Sequence, residues 1–100
     1  MALIDNVRAA LRVDGTEHDT EISDLIDAAR QDLVLSGVSQ EKANDPNDPL
    51  IKRAIIVYCR AHFDYADDSA ERLERSYEML KSHLSLAGDY RAGEAVSSGG

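Results

Sequence analysis

The segment Asp48 to Tyr65, DPLIKRAIIVYCRAHFDY, limits the possible folds more than any other part of the chain. Leu50, Ile51, Ala54, Ile55, Val57, Tyr58, Ala61, His62 and Tyr65 recur at steps of three and four, leaving polar surface only at Lys52, Arg53 and Arg60. Such spacing predicts a helix whose apolar face is too wide to be covered by one neighbour. The helix therefore belongs at the centre of a core, with other elements packed on several sides. Its start is marked by Asp48, a good N-cap, followed by Pro49 at the first helical position, where a missing N–H costs nothing.

The rest of the chain supplies three partners for it. Leu3, Ile4, Val7 and Leu11 predict a short first helix over about residues 2 to 13. Ile22, Leu25, Ile26, Ala29 and Leu33 predict a one-sided second helix from Glu17 to Ser36, closed by Gly37. Residues 37 to 48, GVSQEKANDPND, read as a polar loop with two Asp-Pro steps. Asp67, Asp68 and Ser69 break the central helix and cap a fourth, in which Leu73, Tyr77, Leu80 and Leu84 step by three and four. Pairs at four-residue spacing, Glu71 with Arg75 and Asp68 with Arg72, support that helix modestly. The expected architecture is all-α, a single domain of about four helices over residues 1–87 with a flexible tail over 88–100.

Between the first two helices, LRVDGTEHDTEI crowds carboxylates and a histidine around Gly15. A calcium loop of the EF-hand kind needs its glycine at the sixth position, and here it directly follows the first Asp. Zinc needs further soft or imidazole ligands beside His18. A helix boundary accounts for each residue: Gly15 closes one helix in the left-handed conformation, Thr16 caps the next, and Asp19 completes a capping box. Acids in the first turn also suit the positive end of the helix dipole.

One hundred residues make one small domain, which buries a limited share of its surface and is often completed by a partner. Only five residues are aromatic, which suits helices better than sheet. The net charge of −8 argues against a protein built to grip phosphate backbones, whose affinity comes from lysine and arginine. Six acids and one base lie between Thr16 and Ser36, so the second helix carries the strongest directional charge: Glu21, Asp24, Asp27 and Asp32. A single cysteine precludes an internal disulfide and fits a reducing compartment. With no run near the roughly 20 apolar residues of a span and no basic leader at the start, the expected setting is cytoplasmic, away from membranes.

No arrangement points to catalysis, and no cofactor or metal is implied. Cys59 and His62 share a helix face without an orienting third group, and a buried thiol beside a hydrogen-bonded core histidine is the simpler account. Asp68-Ser69 superficially resembles the attachment site of carrier proteins, but it lies far along the chain and an N-cap explains Ser69. A helix-turn-helix reader would need a basic recognition helix, whereas Lys52 to Arg60 is the most apolar stretch of the chain.

Two segments stand out together: Leu11, Arg12, Val13 and Asp14 followed by Asp19, Ile22, Leu25, Ile26 and Ala29, and the central helix with Pro49, Ala54, Tyr58, Phe63 and Tyr65. In this order they resemble the head-to-tail connector (adaptor) proteins of long-tailed phages and prophages. The resemblance implies an all-helical structural protein of the virion neck, made in the bacterial cytoplasm. It would assemble with copies of itself into a ring, twelvefold in the virion, dock on the portal protein after DNA packaging and receive the next neck or tail-completion protein. DNA would only pass through the channel.

Within such a ring, the acidic face Glu21, Asp24, Asp27 and Asp32 and the basic surface Lys52, Arg53 and Arg60 are candidates for opposite sides of one subunit contact. Alternatively, the acidic face points into the channel, where like charge keeps DNA from adhering. A different class of function, a small acidic module binding a basic partner, uses the same acidic face without a ring.

Overall fold

The computed structural model describes residues 2–63 and 69–91. Its order is α1 (Leu3–Leu11), α2 (Asp19–Leu35), α3 (Gln40–Ala43), α4 (Pro49–His62) and α5 (Ser69–Leu86), an all-α fold. Helix α4 is the centre, touching α1, α2 and α5. Ile51, Ala54, Ile55 and Cys59 are wholly buried on it, as its wide apolar face requires. Val7 of α1, Ile22, Ala29 and Leu33 of α2, and Tyr77 and Leu84 of α5 close the core around it. The expected N-cap is present: an Asp48 carboxylate oxygen accepts from the N–H groups of Leu50 and Ile51 at 3.0 and 3.1 Å.

Several boundaries differ from the sequence reading. Helix α1 is closed one turn before Gly15 by Arg12, at φ +62°. The N–H of Arg12 bonds to the carbonyl of Ala9 and that of Val13 to Arg8, the paired closing bonds of a Schellman motif. Gly15 also has positive φ but lies within the connecting loop. Thr16 does not cap α2; its carbonyl accepts from the N–H of Asp19, and His18 occupies the cap position without a side-chain cap bond. Asp19 is diverted from the expected capping box because both its oxygens accept from the Arg8 guanidinium at 2.8 Å. A fork-to-fork ion pair joining two helices outcompetes a single local bond. That hydrogen-bonded pairing holds the Asp19 carboxyl below, and the Arg8 guanidinium above, their usual ranges.

Gly37 closes α2 as expected. At φ +115° it lets Val38 and Gly37 donate to the carbonyls of Leu33 and Val34. The segment after it is not simply a polar loop: Ser39 caps the one-turn helix α3 through its hydroxyl, and Val38 and Ala43 are fully buried. Nor does the fold end at Leu86. The chain turns at 87–90, the Tyr90 carbonyl accepts from the N–H of Ser39 at 2.7 Å, and Arg91 pairs with Val38 as an isolated bridge. Residues 88–91, expected to begin the tail, are thus stitched to the α2–α3 connection. The expectations for Tyr65, for the Asp67-Asp68 break and for the pair Asp68–Arg72 lie outside the described residues, as does the tail beyond Arg91.

Candidate interaction surfaces

Glu21, Asp24 and Asp27 lie exposed along the outer side of α2. Among the described residues the one side chain that can oppose their charge is His18, whose Nδ1 lies 4.0 Å from Glu21 and is cationic only when protonated. Asp32 does not belong with them. It turns toward α5, accepting from the Tyr77 hydroxyl at 2.6 Å and from Lys81 Nζ at 3.0 Å. Burial alone would raise its pKa; the hydrogen bonds from Tyr77 and Lys81, with the lysine charge, outweigh this and leave the carboxyl below its ordinary value. The same environment, led by burial, raises the Tyr77 hydroxyl. Sequence spacing gave no warning of this assignment, since at about 100° per residue Asp32 lies about 20° from the azimuth of Glu21, while its partners come 45 and 49 residues later.

On α4, Arg53 and Arg60 are exposed and Lys52 is half-buried, and none of the three forms an ion pair among the described residues. By helical spacing the two arginines fall on one side of α4 with Leu50, which is 45% exposed, and half-buried Ile56, and Arg60 also borders a shallow depression with Leu11, Arg12 and Leu73.

The opposite flank of α4 forms an open groove of about 780 Å³ with α5 and the side of α2. Its floor is aromatic: Tyr58 meets Tyr77 edge-on at 5.1 Å and stacks obliquely on His62 at 4.3 Å. Its rim carries Glu71, Glu74 and Glu78. Lys81 Nζ lies 5.2 Å from the Tyr77 ring centre, a cation already held against this aromatic surface. His62 is therefore not the core histidine expected; it faces the groove, exposed, 3.7 Å from Glu74. Cys59, three residues before it, is wholly buried in the core. Burial pushes its thiol up to about 12, so at neutral pH it is protonated and unreactive. Ser69 is half-buried at the first residue of α5, and the Asp68 beside it lies outside the described residues.

A second polar centre joins loop and terminus. Besides capping α4, Asp48 accepts from the Tyr90 hydroxyl at 2.9 Å and faces Lys42 Nζ at 3.9 Å. Burial raises the Asp48 carboxyl, but the N–H of Ile51, the Tyr90 hydroxyl and the N–H of Leu50 together bring it below its ordinary value.

Asp19, Asp32 and Asp48 all have folded-state pKa values below their unfolded ones, so their contribution to stability is complete above the unfolded carboxyl pKa of about 4 and is lost as pH falls through the lower folded values. Thermal unfolding followed by circular dichroism is accordingly expected to give a flat Tm from about pH 7 to 5 and a fall below about pH 4. An Asp32→Asn variant should show a shallower fall; an unchanged slope would refute the role assigned to Asp32.

Among the described residues no group of three or more His, Cys, Asp or Glu is disposed to hold a metal ion, and no helix is long and apolar enough to cross a membrane. No curated protein and no solved structure matches the chain. A family model described as phage connector protein matches residues 3–91, from the start of α1 to the bridge at Arg91.

Proposed function

Because this chain belongs to the phage connector protein family, we propose that it is the head-to-tail connector of a long-tailed phage or prophage, a ring-forming neck protein that docks on the portal protein after DNA packaging. The family is structural rather than catalytic, and its match over the whole span from α1 to Arg91 carries this reading. In the reading, copies of the chain surround the channel, twelve in the virion, with the portal protein on one side and a neck or tail-completion protein on the other.

The exposed acids Glu21, Asp24 and Asp27 suit the channel wall, where solvent-facing carboxylates repel a passing phosphate backbone. Lys52, Arg53 and Arg60 suit a contact with the neighbouring subunit, because their charge finds no ion-pair partner within the described chain.

Light scattering and electron microscopy of the protein alone and mixed with its portal ring test the proposal. Discrete rings in either condition are expected. A protein that assembles in neither, does not bind portal, and instead titrates with a basic protein would replace the connector reading with the acidic interaction module. Reversing Asp24 and Asp27 to lysine should leave rings intact but make them retain DNA. Failed assembly would move the acidic face to the subunit contact, and no change in either property would overturn both assignments.

A further inference from the structure

Resting on the ring reading, we propose that the groove between α4 and α5 receives Arg53 and Arg60 of a neighbouring copy of this chain. Three observations carry the assignment. The first is the chemistry of the groove: an aromatic floor of Tyr58 and Tyr77 under the carboxylates of Glu71, Glu74 and Glu78. A planar guanidinium satisfies both parts at once, stacking on a ring face while its N–H fork meets carboxylate oxygens. The carboxylates are available for this. Among the described residues Glu71 faces Arg75, which also lines the groove, through an exposed pair at 3.9 Å worth little; Glu78 shares Lys81 with Asp32 and keeps its own side chain largely exposed; and Glu74 faces His62 at 3.7 Å.

The second is that the chain supplies a matching strip. Arg53 and Arg60 are seven residues apart on α4, and Glu71 and Glu78 are seven apart on α5, so each pair is spaced about 10.5 Å along its helix axis. Apolar surface also matches: Ile56 and Leu50 lie along the arginine strip, and Met79, 63% exposed, lies at the groove.

The third is direction. At about 100° per residue, Arg53 and His62 are about 180° apart around α4, and Arg60 and Tyr58 about 160°. The strip and the groove therefore occupy opposite sides of one helix, and a subunit cannot fill its own groove. A contact between two different surfaces on opposite sides passes from copy to copy and closes by rotation, as a ring requires. Helix α4 then serves twice, as the core of the subunit and as the element linking successive contacts.

The test uses the full chain in whichever condition the wild type assembles, alone at high concentration or on portal rings. One variant carries Glu71→Arg and Glu78→Arg, the other Arg53→Glu and Arg60→Glu; all four side chains are exposed, and unchanged helical circular dichroism checks that each variant folds. Each variant alone has like charges on groove and strip and should self-associate at least about tenfold more weakly than wild type in sedimentation. Mixed one to one, each variant's groove meets the other's strip with opposite charge at every contact, so alternating rings should recover to within about threefold of wild-type affinity. Wild-type rings with both variants assembling normally alone would overturn the groove assignment and leave the ring standing. Two impaired variants that mixing fails to rescue would overturn it as well. Loss of portal binding by the glutamate variant with self-association intact would make the occupant a basic segment of the portal instead. A wild type that forms no ring in any condition would remove the ring reading itself.

Discussion

Replacing Ile55 by alanine is expected to destabilise the protein by about 3 kcal/mol and to lower Tm by roughly 12–20 °C. Ile55 is wholly buried on the helix that α1, α2 and α5 all touch, so the lost methyl groups leave a void bordered by several elements. The cost combines transfer of the removed carbons with the unfilled cavity, and a site enclosed by separate helices collapses poorly. Urea unfolding of Ile55→Ala beside Leu50→Ala makes the comparison within one helix. Leu50, 45% exposed, should cost only about 0.5 kcal/mol. Equal losses at the two sites would refute the placement of α4 at the centre of the core.

Substituting Asp48 by alanine should cost about 2 kcal/mol, more than an ordinary cap. The N-cap bonds to Leu50 and Ile51 alone account for about 1 kcal/mol. The same carboxylate holds the Tyr90 hydroxyl, and through Tyr90 the turn whose carbonyl receives the Ser39 N–H. Without it, residues 87–91 lose their anchor on the α3–α4 connection. Hydrogen exchange should accelerate at the amides of Ser39, Leu50 and Ile51 together, and trypsin should cut sooner after exposed Arg91. Asp48→Asn separates the two roles, since asparagine caps well but brings no charge to Tyr90 and Lys42. Exchange that speeds up only at Leu50 and Ile51 in Asp48→Ala would show that the terminal turn is held by other contacts.

The elements themselves were legible in the chain because the forces that set them act over a few residues. The spacing of Leu50 to His62, the cap at Asp48 and the stop at Gly37 each specify backbone through neighbours within about two turns. The central position of α4 was legible too, since a helix apolar on most sides has nowhere else to go. Where the local reading failed, a distant partner intervened. Asp19 completes no capping box because Arg8 on another helix offers two bonds for one, and Asp32 leaves the acidic face because Tyr77 and Lys81 reach it. Residues 88–91, which show no periodicity, are held by Ser39, Val38 and Asp48.

The candidate surfaces divide along the same line. The acids Glu21, Asp24 and Asp27 and the arginines Arg53 and Arg60 could be assigned to open surface from periodicity, because polar positions on an amphipathic helix face away from its apolar stripe. The groove could not, since Tyr58 and His62 read as ordinary core positions until α5 sets Tyr77 beside them and leaves one flank open. By itself the sequence determined an all-α chain, the start of α4 at Asp48, the close of α2 at Gly37, and a membership carried by core positions. Only the tertiary structure decided which polar groups pair and which remain free for a partner, because pairing depends on distances between helices that no local interaction encodes.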